Sequence, residues 1–103
     1  MLGRSRFEDL VRRQLDLFEA DEGSLLEEAE EADAAWTRAA REETEQLYSE
    51  YQLVVDEIAE RLLDIRETYA GSLDEQTAEH YRAAYNRAVL KRFRPYAALL
   101  LEK

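Results

Sequence analysis

Apolar residues recur every three to four positions along nearly the whole chain, and the breaks in that rhythm divide it into helices. Each segment opens on the same signal. Ser5-Arg6-Phe7-Glu8, Ser24-Leu25-Leu26-Glu27 and Ser72-Leu73-Asp74-Glu75 are all Ser-x-x-Glu. In such a capping box the serine hydroxyl accepts an early backbone amide and the glutamate reaches back to the cap amide. Two of the three follow a glycine, Gly23 and Gly71, where a preceding helix ends. The pattern predicts helices over about 5–21, 24–70 and 72–94, with a short tail over 95–103. Arg94 precedes Pro95 and is biased away from helix. Proline is tolerated in a first turn, so Tyr96 to Leu101 can form one or two more turns.

The first predicted helix carries Phe7, Leu10, Val11, Leu15, Leu17 and Phe18 on one broad face. The third carries Leu73, Tyr81, Ala84, Tyr85, Val89 and Phe93 at the same spacing. The second is the longest. Its stripe runs from Leu25 through Ala29, Ala32, Trp36 and Ala39, then Leu47, Tyr51, Val54, Ile58, Leu62, Ile65 and Tyr69. Its steps average about 3.7 residues, near the value for a straight or slightly right-handed path. Glu43 is its one polar lapse, and the place where a break is expected if the helix has one.

An unbroken second helix would be about 70 Å long. Short loops would then lay the first helix antiparallel along its beginning and the third along its remainder. Most cross-sections would hold two helices, which bury little. The expected fold is all-α: an antiparallel helical bundle of three helices with a long central helix, completed by homodimerisation. The chain is short enough for a single domain over 1–103.

Composition agrees and removes several functions. Charged residues are 37%, well above the usual quarter, and with 3 Gly and 1 Pro the mix suits long helices or a coiled coil rather than a sheet. No cysteine is present, so there is no disulfide, thiolate metal site or thiol nucleophile. No apolar run approaches the roughly 18 residues of a membrane span. The start, MLGRSRFEDLV, lacks a signal-peptide core, and the expected location is cytoplasmic. A net charge of −10 repels nucleic acid.

The candidate chemistry is sparse. His80 is the only histidine, and Thr77 stands where a Glu-x-x-His ligand pair of ferritin-like bundles needs a carboxylate. Glu27, Glu28, Glu30, Glu31 and Asp33, with Glu19, Asp21 and Glu22, make a dense acidic run, read as a solvated face. An ion-binding bundle using Glu27, Glu31 and His80 is the alternative, since hard cations take oxygen ligands. Arg82, Arg87, Lys91, Arg92 and Arg94 are expected to pair with the acidic stretch around Glu42, Glu43, Glu45 and Glu50. No nucleophile elbow or phosphate loop is present. Small acidic size resembles the secreted helical hairpins marked by Trp-x-Gly, but Trp36 is followed by Thr37-Arg38, and no family is assigned.

These residues point to a non-enzymatic interaction or scaffolding protein without cofactor or metal. Trp36, Tyr51, Ile58 and Tyr85 are the candidates for packing or interface positions. Leu99, Leu100 and Leu101 in the tail either pack back onto the first helix or dock on a larger partner as a regulatory adaptor. The expected partners are a second copy or another protein, and neither nucleic acid nor membrane.

Overall fold

A computed structural model describes residues 6–103 and is all-helical, with no strand among them. Five α-helices follow one another: α1 (Glu8–Asp21), α2 (Gly23–Thr37), α3 (Arg41–Ala70), α4 (Glu75–Arg92) and α5 (Ala98–Glu102). A 3-10 turn over Arg94–Tyr96 joins α4 to α5, as Pro95 leads one to expect. No helix among the described residues is long and apolar enough to cross a membrane.

The expected rod over 24–70 is broken. Arg38, Ala39 and Ala40 leave the helix between α2 and α3, a few residues before Glu43. Ala40 is extended, at φ −66° and ψ 157°. The chain reverses there, and α2 runs back along α3. Trp36 meets Tyr48 near the reversal, while Glu22 meets Arg61 at the far end of α2. Two adjacent alanines favour helix locally, so propensity does not cause the break. Packing outweighs it: the reversal lays the stripe of α2 on that of α3 and brings Trp36 onto two tyrosines. The molecule measures 52 × 23 × 22 Å, shorter than an unbroken second helix would require.

The start signals are used differently from the expectation. Ser5, the capping residue of the first box, lies outside the described residues. Ser24 sits exposed inside α2 and caps nothing, because helical hydrogen bonding crosses the junction: the Glu22 N–H donates to Phe18 O and the Leu26 N–H to Glu22 O. At α4 the cap is Asp74, whose carboxylate accepts from the Thr77 N–H at 2.9 Å and the Thr77 hydroxyl at 2.8 Å. The Ser72 hydroxyl instead donates to Tyr69 O. Gly71 does close α3, at φ −64° rather than in the left-handed region.

A single residue, Glu22, separates α1 from α2, too little for a reversal. The first helix therefore does not fold back along the second. It packs beside α4 in parallel: Phe7 meets Tyr81 and Phe18 meets Phe93, both edge-on at 5.5 Å. In contrast, α4 runs antiparallel to α3, with Tyr69 against Tyr81 and the Tyr85 hydroxyl donating to Leu62 O. The core gathers between these elements around Val11, Leu15, Ile58, Leu62, Tyr85 and Val89, none more than 1% exposed.

Candidate functional site

The residues singled out by pattern separate into an interior group and a surface group. Ile58 and Tyr85 are fully buried and belong to the core. Of the tail leucines, Leu100 is buried, Leu99 half-buried and Leu101 exposed. The tail docks on α3 and not on the first helix, because the 3-10 turn redirects the chain after α4. Trp36 and Tyr51 are half-buried near the α2–α3 reversal, where they meet Tyr48, which is 45% exposed.

These three rings form one aromatic end. Trp36 stands perpendicular to Tyr48 with centroids 5.0 Å apart, and Tyr51 lies 6.2 Å from Tyr48 and 6.3 Å from Trp36. The indole N–H donates to Asp33 Oδ1 at 3.0 Å, one helical turn back, which fixes the ring and draws a carboxylate beside it. Placement follows from spacing: Asp33 and Trp36 share a face of α2, and Tyr48 and Tyr51 share a face of α3.

The 3-10 turn completes the surface. Tyr51, Pro95 and Tyr96 line two neighbouring clefts in common. The first, about 370 Å³, is bordered by Leu26, Glu30, Asp33, Tyr51, Arg92 and Tyr96 among others. The second, about 300 Å³, has Tyr48, Val55, Asp56, Ala59, Tyr96 and Leu99 along its walls and no cationic side chain. Both clefts combine apolar and acidic lining: Leu26 and Ala29 with Glu30 and Asp33 in the first, Val55 and Ala59 with Asp56 in the second. The one cation of the first, Arg92, is already paired with Asp16 at 2.7 Å and Glu19 at 2.6 Å.

The electrostatics of the tyrosines reflect that acidic lining. Burial pushes the Tyr51 phenol up from its ordinary value, and the Asp33 charge pushes it further. Tyr96 is raised in the same way, first by burial, then by Tyr51, Glu30 and Asp33. Negative charge already concentrated here opposes a phenolate.

A second arrangement escaped the sequence reading altogether. Arg66 is fully buried in α3, and its guanidinium binds three elements. Nη1 donates to Leu100 O at 3.0 Å and to Asn86 Oδ1 at 2.9 Å, and Nε donates to Glu67 at 2.8 Å. Glu67 also receives both arms of Arg82 at 2.9 Å. This clamp ties α5 to α3 and α4. An arginine within a charged helix carries no mark of burial in sequence. The only hint is its place one residue after Ile65 and four after Leu62, on the edge of the apolar stripe.

The other charged candidates disperse. Arg82 and Arg92 pair with Glu67 and with Asp16 and Glu19, not with the Glu42–Glu50 stretch, because α4 lies beside α1 and the end of α3. Glu22 pairs with Arg61. His80 is exposed on α4. Among the described residues no three histidine, aspartate or glutamate side chains gather as a metal site would require. Comparison with protein-family models, curated proteins and solved structures finds no match to this chain.

Proposed function

We propose that this protein is a non-enzymatic protein–protein interaction module that works through its aromatic end. The observation carrying this is the half-exposed Trp36–Tyr48–Tyr51 cluster beside two open clefts. Aromatic side chains flanked by apolar hollows and a polar rim have the composition of interface centres. Here α2 and α3 extend as a pair, and the half-buried Ala32, Ala35, Ala39 and Leu47 add to the apolar surface.

The other readings have less behind them. A second copy was expected because an unbroken rod leaves two-helix sections uncovered. The break at Arg38–Ala40 removes most of that need, since α2 lies along the first part of α3, and α4 and α5 pack on α3, with α1 on α4. A tail that docks elsewhere would have to extract Leu100 and forfeit the bond from Arg66. A carboxylate ion site would draw on Glu27, Glu31 and His80, and among the described residues no three such side chains gather.

Site-specific crosslinking tests the proposal. A photoreactive phenylalanine at Tyr48 is compared with one at Leu17, which is 64% exposed on α1. Defined adducts from position 48 and none from position 17 are expected in cells expressing the protein. Equal, diffuse labelling at both positions would count decisively against an interaction end.

A further inference from the structure

We infer that the two clefts astride Tyr51, Pro95 and Tyr96 form one docking groove for a basic amphipathic segment of a partner protein. Its cationic side chain sits against Glu30 and Asp33, and an apolar side chain sits against Val55, Ala59 and Leu99. This rests on the reading of the aromatic end as the interaction surface, and adds the chemistry of the partner.

Charge decides the occupant. Glu30 and Asp33, both exposed, line the first cleft, and the exposed Asp56 lines the second. Arg92 does not offset them, being engaged with Asp16 and Glu19. The chain as a whole carries −10. A second copy would bring the same acidic α2 to this surface, and an acidic segment would meet the same repulsion. A lysine or arginine gains attraction from the carboxylates and from the ring faces of Tyr51 and Tyr96, the two contributions that select organic cations. Shape selects the rest. The apolar walls of the second cleft have no cation and suit a leucine-sized side chain, so one face of the partner alternates basic and apolar positions, as an amphipathic helix laid in a groove does.

The test uses two synthetic helical peptides of one pattern, one of Leu and Arg and one of Leu and Gln, titrated into the full chain. Trp36 is the only tryptophan, so its indole resonance reports on the site without ambiguity. The Leu/Arg peptide is expected to shift the Trp36, Tyr51 and Tyr96 ring signals and to bind at least about tenfold more tightly than the Leu/Gln peptide, a difference worth about 1.4 kcal/mol. The double variant Glu30→Gln/Asp33→Asn keeps an acceptor for the indole and should erase that preference. The control Glu27→Gln/Glu28→Gln changes net charge equally on exposed residues outside the clefts and should alter binding less than about twofold. Equal losses in both double variants would reduce the effect to diffuse attraction and overturn the inference. Equal affinity for both peptides at the same rings would retain an interaction end but overturn its basic partner. Self-association competing for these residues would assign the groove to a second copy and likewise overturn it. No ring shifts with either peptide would remove both readings.

Discussion

The Arg66 guanidinium, fully buried in α3, donates to the carbonyl oxygen of Leu100 near the end of the chain at 3.0 Å. The same arm reaches Asn86 in α4, so one side chain holds three helices together. A short terminal helix has little stability of its own, since nucleation is costly and few bonds repay it. Two contacts keep α5 in place: Leu100 packed at 1% exposure, and Arg66 supplying a donor to a carbonyl that α5 leaves open at its end.

Replacing Arg66 should therefore loosen the tail before the rest. Arg66→Met retains the stem and leaves Leu100 O and Asn86 without their donor. The expected loss is about 2–4 kcal/mol in urea unfolding. Amide exchange in α5 should accelerate while exchange in the middle of α3 keeps to the global rate. Arg66→Lys should recover only part, because an ammonium cannot present two fixed arms. Uniform acceleration in every helix would mean that the arginine fills space and nothing more.

Glu67 makes this cluster sensitive to acid. Hydrogen bonds from Arg82, then from Arg66, hold its carboxyl at about 2, against an ordinary 4.5, although partial burial opposes them. A folded value below the unfolded one stabilises the fold above about pH 4.5, and that contribution fades as pH falls toward 2. The side chain is 42% exposed, so screening limits the gain to about 1 kcal/mol. Urea midpoints at pH 7, 4 and 2.5 should fall more steeply for the natural protein than for Glu67→Gln, whose glutamine stays neutral throughout. Parallel curves would show that Glu67 does not contribute to the acid limb.

Much of this architecture is legible in the chain, and the exceptions have physical causes. The stripes of Val11, Leu15 and Phe18, and of Tyr81, Tyr85 and Val89, predict burial because a helix has a fixed period. Gly71 and Pro95 mark real boundaries because each restricts the backbone locally. The reversal at Arg38–Ala40 has no such mark. Ala39 and Ala40 are good helix formers, and it is the gain from laying the α2 stripe on α3, with Trp36 on Tyr48 and Tyr51, that breaks the helix there. The caps fail for a related reason: Asp74 competes with Ser72 two residues away, and the ionised group caps better beside the positive end of α4. Arg66 is least legible, since its burial depends on partners 20 and 34 residues distant.

The division between core and aromatic end gives a contrast in cost. Ile58 is 0% exposed at the centre of α3, and Ile58→Ala should lose about 2–5 kcal/mol. Trp36→Ala removes one edge-on and one tilted ring contact at a half-exposed position and should lose about 1–2 kcal/mol, despite deleting a larger side chain. Both values come from the same urea titration followed by circular dichroism. A larger loss from Trp36 than from Ile58 would make the aromatic end a structural core, and would leave no surplus there for a partner.

A proline at position 40 separates a broken helix from a continuous one. Ala40 lies at φ −66°, the angle that a proline ring imposes, and Ala39 before it is outside the helix, so the substitution suits the backbone of position 40. Ala40 is the cap of α3, and its own N–H belongs to none of the intrahelical bonds of α3. Ala40→Pro should leave the circular dichroism spectrum unchanged and raise stability by about 0.5–1 kcal/mol, through the freedom it removes from the unfolded chain. In an unbroken helix over 24–70 the same proline would lose a hydrogen bond and clash with the preceding turn, at about 3 kcal/mol. The sign of the change in unfolding midpoint thus decides between the two: a rise belongs to the reversal at Arg38–Ala40, and a large fall belongs to the rod.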